Sequence, residues 1–201
     1  MHVAHACTRQ HAMLRALILL ICSSVDAANV LICYYSATNR THQLAEAIAA
    51  GAQQPLVHVR LQPITETSVE ADVLDWADAI VLGSPVHYGN PAGAVLSWFE
   101  RDWERFWEDP RLNGKLGAAF ATGGGLAQGL EHVVASIQRL LVSFRIQILT
   151  PPPTRSGYDS YGAVAVTGTA PFNEATLATP FLQAGEALGA LVAAAVLQRF
   201  H

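Results

Sequence analysis

The stretch from Asn29 to Gly51, NVLICYYSATNRTHQLAEAIAAG, decides the fold. It opens on Val30-Leu31-Ile32-Cys33-Tyr34-Tyr35, an apolar run rich in β-branched and aromatic residues. Such a run suits a strand buried on both faces, as in a parallel sheet. Ser36-Ala37-Thr38-Asn39-Arg40-Thr41 follows; then Leu44, Ala45, Ile48 and Ala49 recur at helical spacing, with Gly51 as the expected stop. The order is strand, hydroxyl-rich loop, helix. The first N–H groups of a helix lack intrahelical acceptors and carry a partial positive charge. A phosphate placed there collects them, and Ser36, Thr38 and Thr41 add hydroxyl donors. One hydroxyl would serve as an ordinary N-cap. Three within six residues, directly after a buried strand, exceed what a cap requires and point to phosphate binding.

Outward from this unit the pattern repeats. Leu56 to Leu61 alternates as a second strand, in which His58 takes a polar surface position. Val69 to Trp76 reads as a short acidic helix, and Asp78 to Pro85 as a third, buried strand. Ala92, Val95, Leu96, Phe99, Trp103 and Phe106 form a helical stripe, in which Trp98 and Trp103 are expected in core or interface. Leu116 to Ala121 is the fourth strand. Leu130, Val133, Val134, Ile137, Leu140, Leu141 and Phe144 form one apolar helix face, beside which Glu131 and His132 are expected in solvent. Ile146 to Leu149 is the fifth strand, and Val164 to Gly168 a final strand piece. Asn173 to Phe200 is expected as one amphipathic helix, carrying Pro180 and Glu186, and not as a membrane anchor.

Strands alternating with helices imply a three-layer, doubly wound parallel α/β domain. Two further strand ends carry chemistry. Ser84-Pro85-Val86-His87-Tyr88-Gly89-Asn90-Pro91 sets two rings in a loop stiffened by two prolines, a platform for a flat ligand if it does not simply pack on its own protein. Thr122-Gly123-Gly124-Gly125-Leu126-Ala127 is a glycine run that lets backbone N–H groups approach a ligand, or else a flexible turn. With strand order 2-1-3-4-5 these two loops and the first one meet at the carboxyl ends of the strands, where ligands bind in such sheets.

The motifs carry a resemblance. Ser36-x-Thr38-Asn39-x-Thr41 is similar to the FMN phosphate loop of flavodoxin-like proteins, with Asn39 where that family usually has Gly. The dinucleotide G-x-G-x-x-G pattern is absent after this strand. GSPVHYGNPAG, residues 83–93, and Tyr161-Gly162-Ala163 resemble the corresponding segments of WrbA-type NAD(P)H:quinone oxidoreductases and the NADPH-dependent FMN reductases grouped with them. The resemblance spans about residues 29 to 199 and implies a flavodoxin-like fold with FMN as cofactor. It implies that Ser36, Ala37, Thr38, Asn39, Arg40 and Thr41 hold the phosphate. Val86, His87 and Tyr88 would border the flavin ring, and Thr122, Gly123, Gly124, Gly125, Leu126 and Ala127 would wrap the ring edge and ribityl chain. Trp107, seven residues before Gly114-Lys115, takes the place of a tryptophan that packs over the substrate. The family's histidine that reaches a neighbouring subunit's flavin has no counterpart, since Ser143 stands near that place. A homo-oligomer, dimer or tetramer, is implied in the same way.

Composition sets the outer bounds. The chain has 201 residues, 51% of them hydrophobic, with a formal net charge of −4, which suits one domain with a substantial core and no nucleic-acid partner. Cys7, Cys22 and Cys33 show no metal or disulfide spacing, and Cys33 is expected as a small buried apolar residue. Residues 1–28 stand apart from the domain over 29–201. Met13-Leu14-Arg15, the apolar Ala16 to Ile21 and the small residues to Ala27 resemble a signal peptide. Equally, Met13 is a candidate start, or the segment is an extension without a role. Export or membrane tethering through residues 13–27 is set against a cytoplasmic location, which NADH or NADPH as reductant favours.

The resulting expectation is an FMN-dependent NAD(P)H oxidoreductase that reduces quinones by two electrons, with His87 as the candidate proton or hydrogen-bond donor. A flavodoxin-type electron carrier is the alternative, although carriers are usually more acidic than −4. A flavin-free scaffold of the same fold is the third reading. No ribose-phosphate site legible in the sequence separates NADH from NADPH.

Overall fold

The computed structural model describes residues 27–65, 71–152 and 161–200; residues 1–26, with the signal-like segment, Cys7 and Cys22, lie outside them. Strand β1 (Ala28–Tyr34) leads into α1 (Arg40–Ala52), and β2 (Val57–Pro63) follows. Next come α2 (Ala71–Trp76), β3 (Ala79–His87), the two-residue β4 (Asn90–Pro91) and α3 (Gly93–Trp98). After β5 (Leu116–Gly123) the chain forms α4 (Leu130–Ser143), β6 (Gln147–Ile148), β7 (Ala163–Val166) and α5 (Thr179–Phe200).

The sheet runs β2-β1-β3-β5-β6, with every pair along it parallel. This is the expected order 2-1-3-4-5, with one refinement. The fifth position is shared: β6 pairs with the start of β5, at Leu116 and Gly117, and β7 with its end, from Phe120 to Gly123. The doubly wound, flavodoxin-like three-layer arrangement follows, with α1 and α5 packed on each other on one face and α4 on the other. All eight residues of β5 are buried, as a strand covered on both faces requires.

Beyond shifts of one or two residues at strand ends, three features differ from the sequence reading. Gly51 is not a helix stop; it lies inside α1, and a Cβ there would sit 1.9 Å from the Glu186 carbonyl oxygen of α5. A Cβ on Gly189 would likewise sit 1.9 Å from the Ile48 carbonyl oxygen. These glycines let two helices pack backbone to backbone. The last helix starts at Thr179, not Asn173, which places Pro180 in the first turn, where its missing N–H costs nothing. The stripe from Ala92 to Phe106 is broken: α3 ends at Trp98, a π-helical turn spans Phe99–Trp103 and a 3₁₀ turn follows over Glu104–Phe106. Of the expected acidic helix, Val69 lies outside the described residues. By length and composition Thr179–Arg199 could cross a membrane. In the fold Phe181, Leu188, Val192 and Val196 are fully buried, the setting of a core helix.

Trp98 and Trp103 are core residues, both fully buried. Cys33 is buried as expected, and burial pushes its thiol pKa far above the ordinary 9.0. In the unfolded chain this thiol ionises near its ordinary value. Stability linked to Cys33 is therefore complete below pH 9 and falls above it by ~1.4 kcal/mol per pH unit. Cys33→Ala is expected to flatten that decline above pH 9 in denaturant titrations. An unchanged slope would show that the decline comes from other groups.

Candidate functional site

The loops after β1, β3 and β5 meet at the carboxyl edge of the sheet. Pro85 pairs with Thr122, the Thr41 and Thr122 hydroxyls are 2.8 Å apart and buried, and a Cβ on Gly129 would lie 2.9 Å from Gly89 Cα. The crevice opens beside β1, the strand from which the chain first turns to β2 on one side and β3 on the other.

In the first loop Asn39 adopts φ +65°, the left-handed conformation that Asn tolerates best after Gly. Its side chain makes no cap bond. The Ser36 hydroxyl accepts from the His42 N–H at 3.2 Å, which leaves its own proton to donate. Among the described residues no protein acceptor receives the backbone N–H groups of residues 37–41, whereas the next donors are used by Ser36 and the Asn39 carbonyl. Ala37, Thr38 and Asn39 are exposed. This is a concavity of free donors at a helix N-terminus, which suits a phosphate dianion. Thr41 points elsewhere: its hydroxyl ties this loop to Thr122. Arg40 donates to the Glu174 carbonyl, so it braces the loop through the segment after β7.

The second loop is a two-residue hairpin between β3 and β4, with Tyr88 at φ 52° and Gly89 at φ 78°. Positive φ at both central residues matches a type I′ turn, and a tyrosine there is unusual. It projects the Tyr88 ring wholly into solvent. The buried Ser84 hydroxyl locks the hairpin base, accepting from Ala92 N–H at 2.9 Å and donating to the Pro85 carbonyl at 2.8 Å. His87 is exposed, its ring edge-on to Tyr35 at 6.3 Å between centroids. Val86 packs under Gly123, where a Cβ would approach it to 2.9 Å.

In the third loop Thr122 and Gly123 end β5 and are buried, while Gly124, Leu126 and Ala127 are exposed. Tyr88 on the second loop and Leu126 on the third are both large exposed hydrophobic residues, apolar surface of the kind a flat ring uses. A loop of free donors, two exposed apolar side chains and a glycine backbone gathered at one sheet edge fit the two needs of an FMN, donors for its phosphate and apolar surface for its ring.

Trp107 is not brought to these loops. It packs edge-on against Phe144, 5.7 Å away, and its carbonyl accepts from Arg145. Phe144 follows α4, which starts beside the crevice and runs 14 residues away from it. At 1.5 Å per residue that is about 21 Å. Trp107 therefore lines a separate cavity of about 770 Å³ with Phe99, Glu104, Leu140 and Phe144. Two features near the crevice escaped the sequence reading. His42 sits against the Tyr34 ring at 5.2 Å and pairs with Glu46 at 3.3 Å, while its buried Nδ1 has no hydrogen-bond partner among the described residues. Burial, then the Glu46 charge, raises the Tyr34 pKa. The other feature is the segment after β7. Gln43 donates to the Ala175 carbonyl at 3.2 Å and accepts from Leu177 N–H at 2.9 Å.

Comparison with known proteins bears on the fold and the family. The chain is 28% identical over 172 residues to an NAD(P)H dehydrogenase (quinone) of Syntrophus aciditrophicus, covering 74% of this chain and 83% of that one. It is 34% identical over 116 residues to a flavodoxin of Aquifex aeolicus, covering 57% of this chain and 60% of that one. The fold is similar to that of the WrbA-like flavodoxin of Agrobacterium tumefaciens, with TM-score 0.70 and 22% identity over 85% of this chain and 98% of that chain. The NADPH-dependent FMN reductase family model matches residues 18–153, a span that includes all three crevice loops. The chain belongs to the NADPH-dependent FMN reductase family.

Proposed function

We propose that this protein is an FMN-dependent NAD(P)H oxidoreductase that passes two electrons to a quinone. The observation that carries the reading is the run of free N–H groups at residues 37–41, set opposite the glycine loop and the Tyr88 hairpin at one sheet edge. When bound, FMN supplies the hydride-accepting and hydride-donating chemistry. The chain's own part is to hold and shape the site. Ser36, Thr38 and the N–H groups of residues 37–41 bind the phosphate; the Thr41–Thr122 pair fixes the distance between the first and third loops. Val86, His87 and Tyr88 border the ring, and Thr122 to Ala127 follow its edge. Tyr88 and Leu126 exclude water from a flat acceptor seated between them. His87, exposed at the hairpin, holds a proton at its imidazole for the quinone oxygen. A reduced nicotinamide nucleotide as donor favours a cytoplasmic location, and a homo-oligomer agrees with the family resemblance.

The similarity to a flavodoxin favours a second reading, an electron carrier without a substrate of its own. Stopped-flow mixing of FMN-loaded protein with NADH or NADPH, then with a benzoquinone, separates the two. Turnover at 1 s⁻¹ or faster, on the order of ordinary enzymes, is the expected result, with His87→Ala slowing the quinone half-reaction by about 10²-fold or more. Reduction that takes minutes would favour the carrier.

A further inference from the structure

We propose that Thr167 and Thr169 are positioning residues that aim the N–H groups of Gly124 and Gly125 into the crevice as donors to the bound flavin, an inference that rests on the FMN reading above. Both threonines lie in the segment after β7, outside the three loops. The Gly123 carbonyl accepts from Thr167 twice, from its N–H at 2.8 Å and its hydroxyl at 3.2 Å. The Gly124 carbonyl accepts from the Thr169 hydroxyl. A planar trans peptide points its C=O and N–H in opposite directions. With the Gly123 and Gly124 carbonyls both turned toward residues 167–169, the N–H groups of Gly124 and Gly125 turn away from them. On that opposite side of β5 lies the end of β3, whose Pro85 pairs with Thr122.

In a strand successive carbonyls alternate in direction. Two in succession on one side mean that the chain has left the ladder and set two adjacent N–H groups side by side, the geometry of an anion-binding nest. Among the described residues no protein acceptor takes either N–H. Gly168 closes the brace from behind, since a Cβ there would lie 3.2 Å from Gly124 Cα. The glycine run alone would leave these peptides free to rotate; the threonines hold them in one orientation. Donors held in that way favour the electron-rich, reduced flavin over the oxidised one.

The test compares wild type with Thr169→Val, Thr169→Ala and Thr169→Ser. FMN and riboflavin affinities are measured by flavin fluorescence quenching, and the reduction potential of each loaded protein by dye equilibration. Wild-type FMN binding is established first; its absence would overturn the FMN reading itself, and this proposal with it. Given that binding, Thr169→Val and Thr169→Ala are expected to weaken FMN and riboflavin by the same factor of about tenfold, one hydrogen bond's worth. Their potential is expected to become more negative, and Thr169→Ser to restore both values. Thr169 is exposed, and the alanine variant stands in if the valine variant does not fold. Wild-type affinity and potential in a folded Val or Ala variant would overturn the proposal. So would a loss that serine does not rescue.

Discussion

Ser36→Ala combined with Thr38→Ala weakens FMN binding by about 10²- to 10⁴-fold and leaves riboflavin binding within about threefold of wild type. The size follows from two hydrogen bonds to a charged group, each contributing about 1.5–3 kcal/mol. The selectivity follows from the layout. Both residues belong to the loop at the N-terminus of α1, and the residues proposed to border the ring stand on other strands. The helix and its free N–H groups remain in the variant, so FMN retains part of its advantage over riboflavin. Titration of both flavins against both proteins checks the result. Equal weakening of FMN and riboflavin would place the phosphate elsewhere.

Gly189→Val is expected to destabilise the fold by about 3 kcal/mol or more. A Cβ at Gly189 meets the Ile48 carbonyl oxygen at 1.9 Å and the Ala52 nitrogen at 2.7 Å, and both are helix backbone that cannot rotate aside. Either α5 moves away from α1, or the contact at Gly51 on the same interface is lost with it. For a domain of this size the expected fall in Tm is about 6–12 °C. Gly93→Ala is the control. It sits at the first position of α3 with nothing within 4 Å of a Cβ, and is expected to be neutral or stabilising by up to about 1 kcal/mol. Thermal melts of the two variants settle the matter, and a Gly189→Val melt within 2 °C of wild type, less than about 1 kcal/mol on the same scale, would contradict the packing argument.

What the sequence shows most clearly is local. The buried run 30–35 can only be an inner strand, and the hydroxyls after it stand where a helix begins. Asn39 stands where the resembling family usually has Gly, and its φ of +65° shows the left-handed conformation that such a position asks for. What stays hidden depends on distant partners. Gly51 looks like a helix stop until α5 is seen lying against it. The start of α5 at Thr179 depends on Arg40 and Gln43, which hold the backbone of residues 174–177 in a non-helical course. Trp107 occupies a familiar spacing before Gly114-Lys115, yet spacing along the chain does not tell which end of α4 it meets. Thr167 and Thr169 belong to no motif, and their bonds to residues 123 and 124 span more than forty positions.

As proposed above, the three strand-end loops hold one FMN and expose it to a reduced nicotinamide. The most direct test is the visible spectrum of the purified protein after FMN loading and desalting, recorded again under anaerobic conditions after NADH or NADPH. A retained flavin band that bleaches within the mixing time of a cuvette and returns on adding a quinone is the expected result. A protein that keeps no flavin through desalting would contradict the claim.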